Sequence, residues 1–244
     1  MKVIILAGGL GTRISEHTKT QPKPMVKIGR YPILIHIMKH YMDYGYNNFL
    51  VAGGYKINSL KNHFKNFKKL GTPFKLKIKK NFCNVNIVNT GKKTMTGGRI
   101  KRLQPYFKKN ENFMFTYGDG ISNVNLKNLF KFYQKSKTIV TVTAVRPPAR
   151  FGEIIIKNKL AISFKEKPQV SDSWINGGFF VANYNFFNFI KNDKDILEKK
   201  PLEKLCKKRE LSAFQHKGFW KCMDTIRDKD VLTKLLKGRN FFNE

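Results

Sequence analysis

Residues 1–29 read MKVIILAGGLGTRISEHTKTQPKPMVKIG, and this stretch decides the fold. The apolar, β-branched run Val3–Ala7 has the pattern of a strand buried on both faces. It stops at Gly8-Gly9, adds Gly11, places Arg13 two residues on, and then delivers Lys23 between Pro22 and Pro24. A turn after a core strand does not need three glycines. The surplus predicts a backbone that closely approaches a ligand and offers N–H groups to phosphate oxygens. Arg13 adds a planar fork for such oxygens, and the two prolines restrict the backbone that carries the Lys23 ammonium.

Outward from this stretch, strands and helices alternate. PILIHIMKHYMDYGY (32–46) carries Leu34, Ile37, Met38 and Tyr41 at helical spacing, with Pro32 at its start and Gly45 at its stop. NNFLVAGGY (47–55) reads as a strand, and Lys56–Lys69 reads as a basic amphipathic helix with Leu60, Phe64 and Phe67 inward. FKLKIK (74–79) and VNIVNT (85–90) read as short strands, and GGRIKRLQPYF (97–107) opens a helix. NFMFTYGDG (112–120) is a strand ending in a glycine-flanked aspartate, followed by a helix over Leu126–Gln134 and the strand TIVTVTAV (138–145). This alternation predicts an α/β fold with a mainly parallel, Rossmann-like sheet flanked by helices. From about Phe151 the pattern turns β-rich. A hairpin with Asn158 near its turn and the strand WINGGFFVANY (174–184) precede three helical segments and the short strands LSAFQH and FWKCMD. With no linker or repeat, residues 1–244 are expected to form a single domain.

Composition narrows the function. The chain has 244 residues, 41% of them hydrophobic and 13% aromatic, which excludes a disordered protein. Lys and Arg number 48 against 16 Asp and Glu, a formal net charge of +32. That excess fits either affinity for polyanions or a solvated surface rich in lysine. Cys83, Cys206 and Cys222 are odd in number and lack CxxC spacing, which argues against a disulfide framework or a zinc site. Five apolar residues before the glycines do not make a signal peptide, and no window suggests a membrane span. A soluble, cytoplasmic protein with neither a specific nucleic-acid partner nor a membrane partner is expected.

Two phosphate-binding patterns fail on the glycine loop. The P-loop needs a Lys and a Ser or Thr after its last glycine, and the dinucleotide fingerprint needs a third glycine where Ile14 stands. The fingerprint also wants an acidic residue downstream, where Lys27 and Arg30 stand. What remains is LAGGLGTR (6–13) followed by PKPM (22–25). Together these resemble the opening signature of the sugar-1-phosphate nucleotidyltransferases. YGDG (117–120), EKP (166–168), NGGFF (176–180) and MDT (223–225) follow at that family's spacing. Within the family, TMTGGRIKRLQPY, FTYGDGISNV, RPPARFGEI, SFKEKP, INGGFFV and GFWKCMDTIRDK resemble most closely the branch that joins CTP to glucose 1-phosphate.

The resemblance implies a nucleotide-diphospho-sugar transferase fold with a C-terminal β-rich elaboration. It also implies CTP and glucose 1-phosphate as substrates, Mg²⁺ as cofactor and a homo-oligomer. Carried over by position, Leu6, Ala7, Gly8, Gly9, Leu10, Gly11, Thr12 and Arg13 wrap the nucleotide, and Lys23 contacts phosphate. Thr94, Arg99 and Gly118 join the nucleotide site, with Arg99 a candidate donor to cytosine O2 or N3. Glu166, Lys167, Asn176 and Gly177 meet the sugar phosphate. Asp119 and Asp224 both end predicted strands, and two converging carboxylates suit Mg²⁺. Arg13, Lys23 and Asp119 are the expected catalytic residues. The open alternatives are a uridylyl- or thymidylyltransferase, a cytidylyltransferase for another phosphorylated acceptor, and a basic nucleic-acid-binding protein. His36 and His40, at i and i+4, lack the glutamate and third ligand of a zinc helix and are read as structural.

Overall fold

The computed structural model describes residues 1–9, 11, 18, 20–146, 153–165 and 173–238. In chain order β1 is Lys2–Ala7, followed by a 3-10 turn at Lys23–Met25 and the short strands β2 (Lys27–Ile28) and β3 (Tyr31–Pro32). Then come α1 (Ile33–Asp43), β4 (Asn48–Gly53), α2 (Ile57–His63), β5 (Phe74–Ile78), β6 (Asn81–Asn89) and α3 (Thr96–Lys101). β7 (Asn112–Tyr117), β8 (Gly120–Ser122), α4 (Leu126–Ser136) and β9 (Val140–Val145) complete the alternating part. The remainder holds β10 (Glu153–Lys157), β11 (Leu160–Lys165), β12 (Ile175–Asn183), α5 (Lys200–Lys207), β13 (Leu211–His216), β14 (Trp220–Cys222) and α6 (Ile226–Gly238).

Eight strands form one sheet in the order β13-β9-β12-β7-β1-β4-β6-β5. β6, β4, β1 and β7 run parallel, and β13 is parallel to β9. β12 is antiparallel to both of its neighbours, and β5 is antiparallel to β6. Burial explains why β12 sits inside the sheet: Phe179, Phe180, Val181 and Ala182 are all buried, so both of its faces need cover. The β-rich part is thus divided. β12 and β13 join the main sheet, β10–β11 forms a separate hairpin, and β14 pairs with β8. The hairpin turns through Asn158 and Lys159, both at positive φ, which matches the right-handed twist of its strands.

Alternate residues of β1 feed two cores. Val3, Ile5 and Ala7 pack on the side covered by α1, α4 and α6, and Ile4 and Leu6 pack on the side of Ile100, Phe186, Phe187 and Leu205. The expected basic helix over 56–69 is only Ile57–His63, because the chain becomes extended at Phe64. Phe64 and Phe67 still face inward, packing on Phe74 at ring separations of 5.6 and 6.1 Å from a loop that turns toward β5 through Gly71. Tertiary packing overrides the local helical spacing here. Among the described residues, no helix is long and apolar enough to cross a membrane.

Candidate active site

From β1 the chain moves to β4 on one side and later to β7 on the other, so the carboxyl ends of β1 and β7 flank a topological switch point. A cleft of about 670 Å³ opens there, within the size range of small-ligand sites. Its lining includes Leu6, Gly9, Gly11, Lys23, Thr94, Arg99, Gly118, Asp119, Asn176, Gly177 and Asp224. Ala7 and Gly8 belong to the same β1 end but are not among the lining residues. Leu10, Thr12, Arg13, Glu166 and Lys167 lie outside the described residues.

Local chemistry brings the charged cluster together. Pro22 and Pro24 set the 3-10 turn that carries Lys23, closed by Met25 N–H donating to Pro22 O at 2.8 Å. Asp119 lies between β7 and β8, and Asp224 lies just beyond β14. The β8–β14 ribbon aligns Cys222 with Gly120, and Met223 N–H donates to Asp119 O at 2.9 Å, so the two aspartates meet. The Lys23 ammonium donates to Asp119 Oδ2 at 2.5 Å and to Asp224 Oδ1 at 2.8 Å. Burial alone would push the Lys23 pKa down. The Asp119 charge and the two hydrogen bonds outweigh it, and the pKa is held above its ordinary value. Gly118 lets β7 pass close to this turn, since a Cβ there would lie 2.5 Å from Leu6 O and from Pro24 Cγ.

Ligand atoms of Asp119, Cys222 and Asp224 all lie within 4.8 Å of one another. The two carboxylates already embrace one cation, the Lys23 ammonium. Hard oxygens from two strand ends fit a hard divalent ion such as Mg²⁺. The Cys222 thiol is a soft donor that does not belong to that set. Burial, and then the Asp119 charge, push its pKa up, so it is protonated at neutral pH. Nothing in the spacing of the cysteines announced this position.

Arg99 lies under the glycine loop. Its Nη2 donates to Gly8 O at 2.7 Å, and its Nη1 faces Gly91 O at 2.7 Å, Thr90 Oγ1 at 2.8 Å and Gly53 O at 3.4 Å. It ties together the carboxyl ends of β1, β4 and β6. Burial, and then Arg102, lower its pKa to about 10, and it remains a cation. Glycine is required at position 8 because a Cβ would overlap this guanidinium.

The sequence reading did not single out Tyr117, Glu198, Trp220 or Cys222, all of which line the cleft. Tyr117, Trp220 and Cys222 lie within quoted motifs and could have been found there, whereas Glu198 carried no signal. Trp220 Nε1 donates to Gly177 O at 2.7 Å, which fixes the indole against β12. The two histidines are structural: a ring nitrogen of His36 bonds Ile28 O at 2.9 Å, and His40 packs edge-on to Phe179.

The nucleotidyl transferase family model matches residues 2–228. A glucose-1-phosphate cytidylyltransferase of Salmonella typhimurium is 44% identical, over 96% of this chain and 95% of that protein. Its namesake in Salmonella typhi matches with the same figures. Among solved structures, HddC from Yersinia pseudotuberculosis complexed with GMP-PN superposes with a TM-score of 0.73 at 22% identity. That match covers 96% of this chain and 99% of the other, and it shows a shared fold.

Proposed function

The chain belongs to the nucleotidyl transferase family, and on that premise we propose that it joins CTP and α-D-glucose 1-phosphate to give CDP-glucose and pyrophosphate. The observation that carries the reading is the convergence of Lys23, Asp119 and Asp224 beside the glycine loop, in a chain 44% identical to a glucose-1-phosphate cytidylyltransferase.

In the proposed reaction a phosphate oxygen of glucose 1-phosphate attacks the α-phosphorus of CTP in line. The bond from that phosphorus to its bridging oxygen breaks, and pyrophosphate leaves. No protein nucleophile is needed, so positioning and charge neutralisation supply the acceleration. The main obstacle is the approach of two anions. Lys23, which its neighbours keep protonated, meets the phosphate oxygens as a cation. The glycine loop offers backbone N–H groups to the same oxygens, and Arg99 holds that loop in place through Gly8 O. Asp119 and Asp224 would hold a divalent ion, Mg²⁺ in this proposal, which supplies Lewis-acid neutralisation of the phosphates when bound. Arg13 adds a second phosphate fork, and Glu166, Lys167, Asn176 and Gly177 hold the hexose phosphate, as the family motifs suggest.

We further propose that residues 1–244 act as one domain, as a cytoplasmic homo-oligomer. The test of the activity is pyrophosphate release, which should require CTP, glucose 1-phosphate and Mg²⁺ together. In reverse, CDP-glucose and pyrophosphate should return CTP. Release without a hexose 1-phosphate would overturn the reading.

A further inference from the structure

Glu198 lies at the cleft, between the 3-10 turn Tyr184–Phe189 and α5. Its Oε2 accepts from the Thr96 hydroxyl at 2.9 Å, and that hydroxyl accepts from Leu197 N–H at 2.8 Å. On its other side is the Tyr117 phenol, whose ionisation is opposed by burial and then by the Glu198 charge. The phenol oxygen accepts from Asn176 Nδ2 at 3.0 Å, and Asn176 Oδ1 accepts from Gly178 N–H at 2.8 Å. The Gly178 bond fixes which way the Asn176 amide points. The amide of Asn176 thus donates to the phenol oxygen, and the Glu198 charge lies close enough to act on the phenol.

This wall is oriented before any ligand arrives. A carboxylate has roughly four lone-pair positions, of which Thr96 engages only one, and an amide nitrogen has two N–H groups. The cleft therefore presents a strong acceptor close to a neutral donor. A phosphate is a poor match, because the carboxylate repels it. Neighbouring hydroxyls on a sugar ring are a good match, because each both donates and accepts. In the sheet, β12 with Asn176 is separated from β1 and its glycine loop by β7, which leads into Asp119. That order sets Asn176 one strand further from the glycine loop than Asp119, and Glu198 faces the cleft from the start of α3 through Thr96.

We propose that Glu198, oriented by Thr96 beside the Tyr117–Asn176 pair, determines sugar specificity by accepting hydrogen bonds from ring hydroxyls of the hexose 1-phosphate. The proposal rests on the function given above and extends it to the sugar end of the site. Glu198→Gln should raise KM for glucose 1-phosphate roughly 10- to 100-fold, the cost of a lost hydrogen bond to a charged acceptor. KM for CTP and the preference for CTP over UTP should stay at wild-type values. Monodeoxy analogues of glucose 1-phosphate locate the contact: wild type should discriminate against the analogue that lacks the hydroxyl Glu198 reads, and Glu198→Gln should not. Tyr117→Phe, which keeps the ring and removes the phenolic proton, should shift the same KM in the same direction by less. An unchanged KM for glucose 1-phosphate overturns the proposal. So does a change confined to the CTP over UTP ratio, which would give the carboxylate to the base amino group. A uniform fall in kcat with both KM values unmoved also overturns it. If wild type releases no pyrophosphate from CTP with any hexose 1-phosphate, the activity reading itself fails.

Discussion

Replacing Arg99 by alanine would remove a guanidinium that is 4% exposed and faces four protein acceptors. Three of these contacts, to Gly8 O, Gly91 O and Thr90 Oγ1, are 2.7–2.8 Å long. Hydrogen bonds to a charged donor are each worth about 1.5–3 kcal/mol. Against that sum, the variant no longer buries a charge, and two of the carbonyls keep another donor. Tyr55 N–H still reaches Gly8 O at 3.1 Å, and Thr90 Oγ1 still donates to Gly53 O at 2.6 Å. A net loss of about 3 kcal/mol follows, in the range for breaking a buried polar network. For a chain of this size that is a fall in Tm of about 6–12 °C. The ends of β1, β4 and β6 lose their common tie, so kcat/KM should fall alike with CTP, UTP and dTTP. Arg99→Lys should behave similarly, because one compact ammonium cannot reproduce a fork that reaches Gly8 and Gly91 together. Thermal denaturation and pyrophosphate release with the three nucleotides measure both effects. A Tm within about 2 °C of wild type, with loss confined to the CTP preference, would refute this reasoning. Arg99 would then be the reader of cytosine.

Asp119→Asn and Asp224→Asn should each lower kcat by about 10²-fold or more, since each removes preorganised charge; near-normal turnover at saturating Mg²⁺ would take that residue out of the site. Lys23→Met leaves Asp119 and Asp224 facing each other and should cost about 3 kcal/mol at neutral pH. The Lys23 pKa is raised on folding, so this contribution is complete below the unfolded value of about 10.4 and fades as pH rises through the folded value. Denaturation curves of the two proteins should therefore stay apart from neutral pH upward until strong alkali, and convergence near neutrality would contradict the assignment. Burial lowers the His40 pKa to about 4, from about 6.5 when unfolded. Its contribution is present above about 6.5 and lost as pH falls through the folded value, up to about 3 kcal/mol. His40→Phe keeps the ring packing, gives up the backbone hydrogen bond at Val124, and removes a buried Nε2 that has no hydrogen-bond partner among the described residues. It should flatten the loss of stability between those pH values, and parallel urea profiles for the two proteins would exclude the histidine.

The parts of the fold legible in the sequence were those fixed by local pattern. β1 is a doubly covered strand with no alternative period, and α1 is bounded by Pro32 and by Gly45 at φ 85°. Asp119 and Asp224 could each be seen at a strand end. Their meeting depends on the pairing of β8 with β14, which joins segments a hundred residues apart. The direction of Arg99 was not legible, because the motif alone does not show that the acceptors drawing its guanidinium lie at the carboxyl ends of β1, β4 and β6, segments distant in sequence. Glu198 was hidden for a similar reason. It reaches the cleft only because residues 193–195 cap the start of α3, with Asp193 O accepting from Met95 N–H and Asp195 O from Gly97 N–H. The helix over 56–69 failed because helical spacing does not distinguish a helix from a loop whose phenylalanines are held by Phe74.

Nucleotide preference tests the central claim most directly. With glucose 1-phosphate and Mg²⁺ saturating, kcat/KM for CTP should exceed that for UTP and for dTTP by at least roughly 10²-fold, because a mismatched base leaves buried polar groups unpaired. A wild-type enzyme that prefers UTP or dTTP would contradict the assignment as a glucose-1-phosphate cytidylyltransferase.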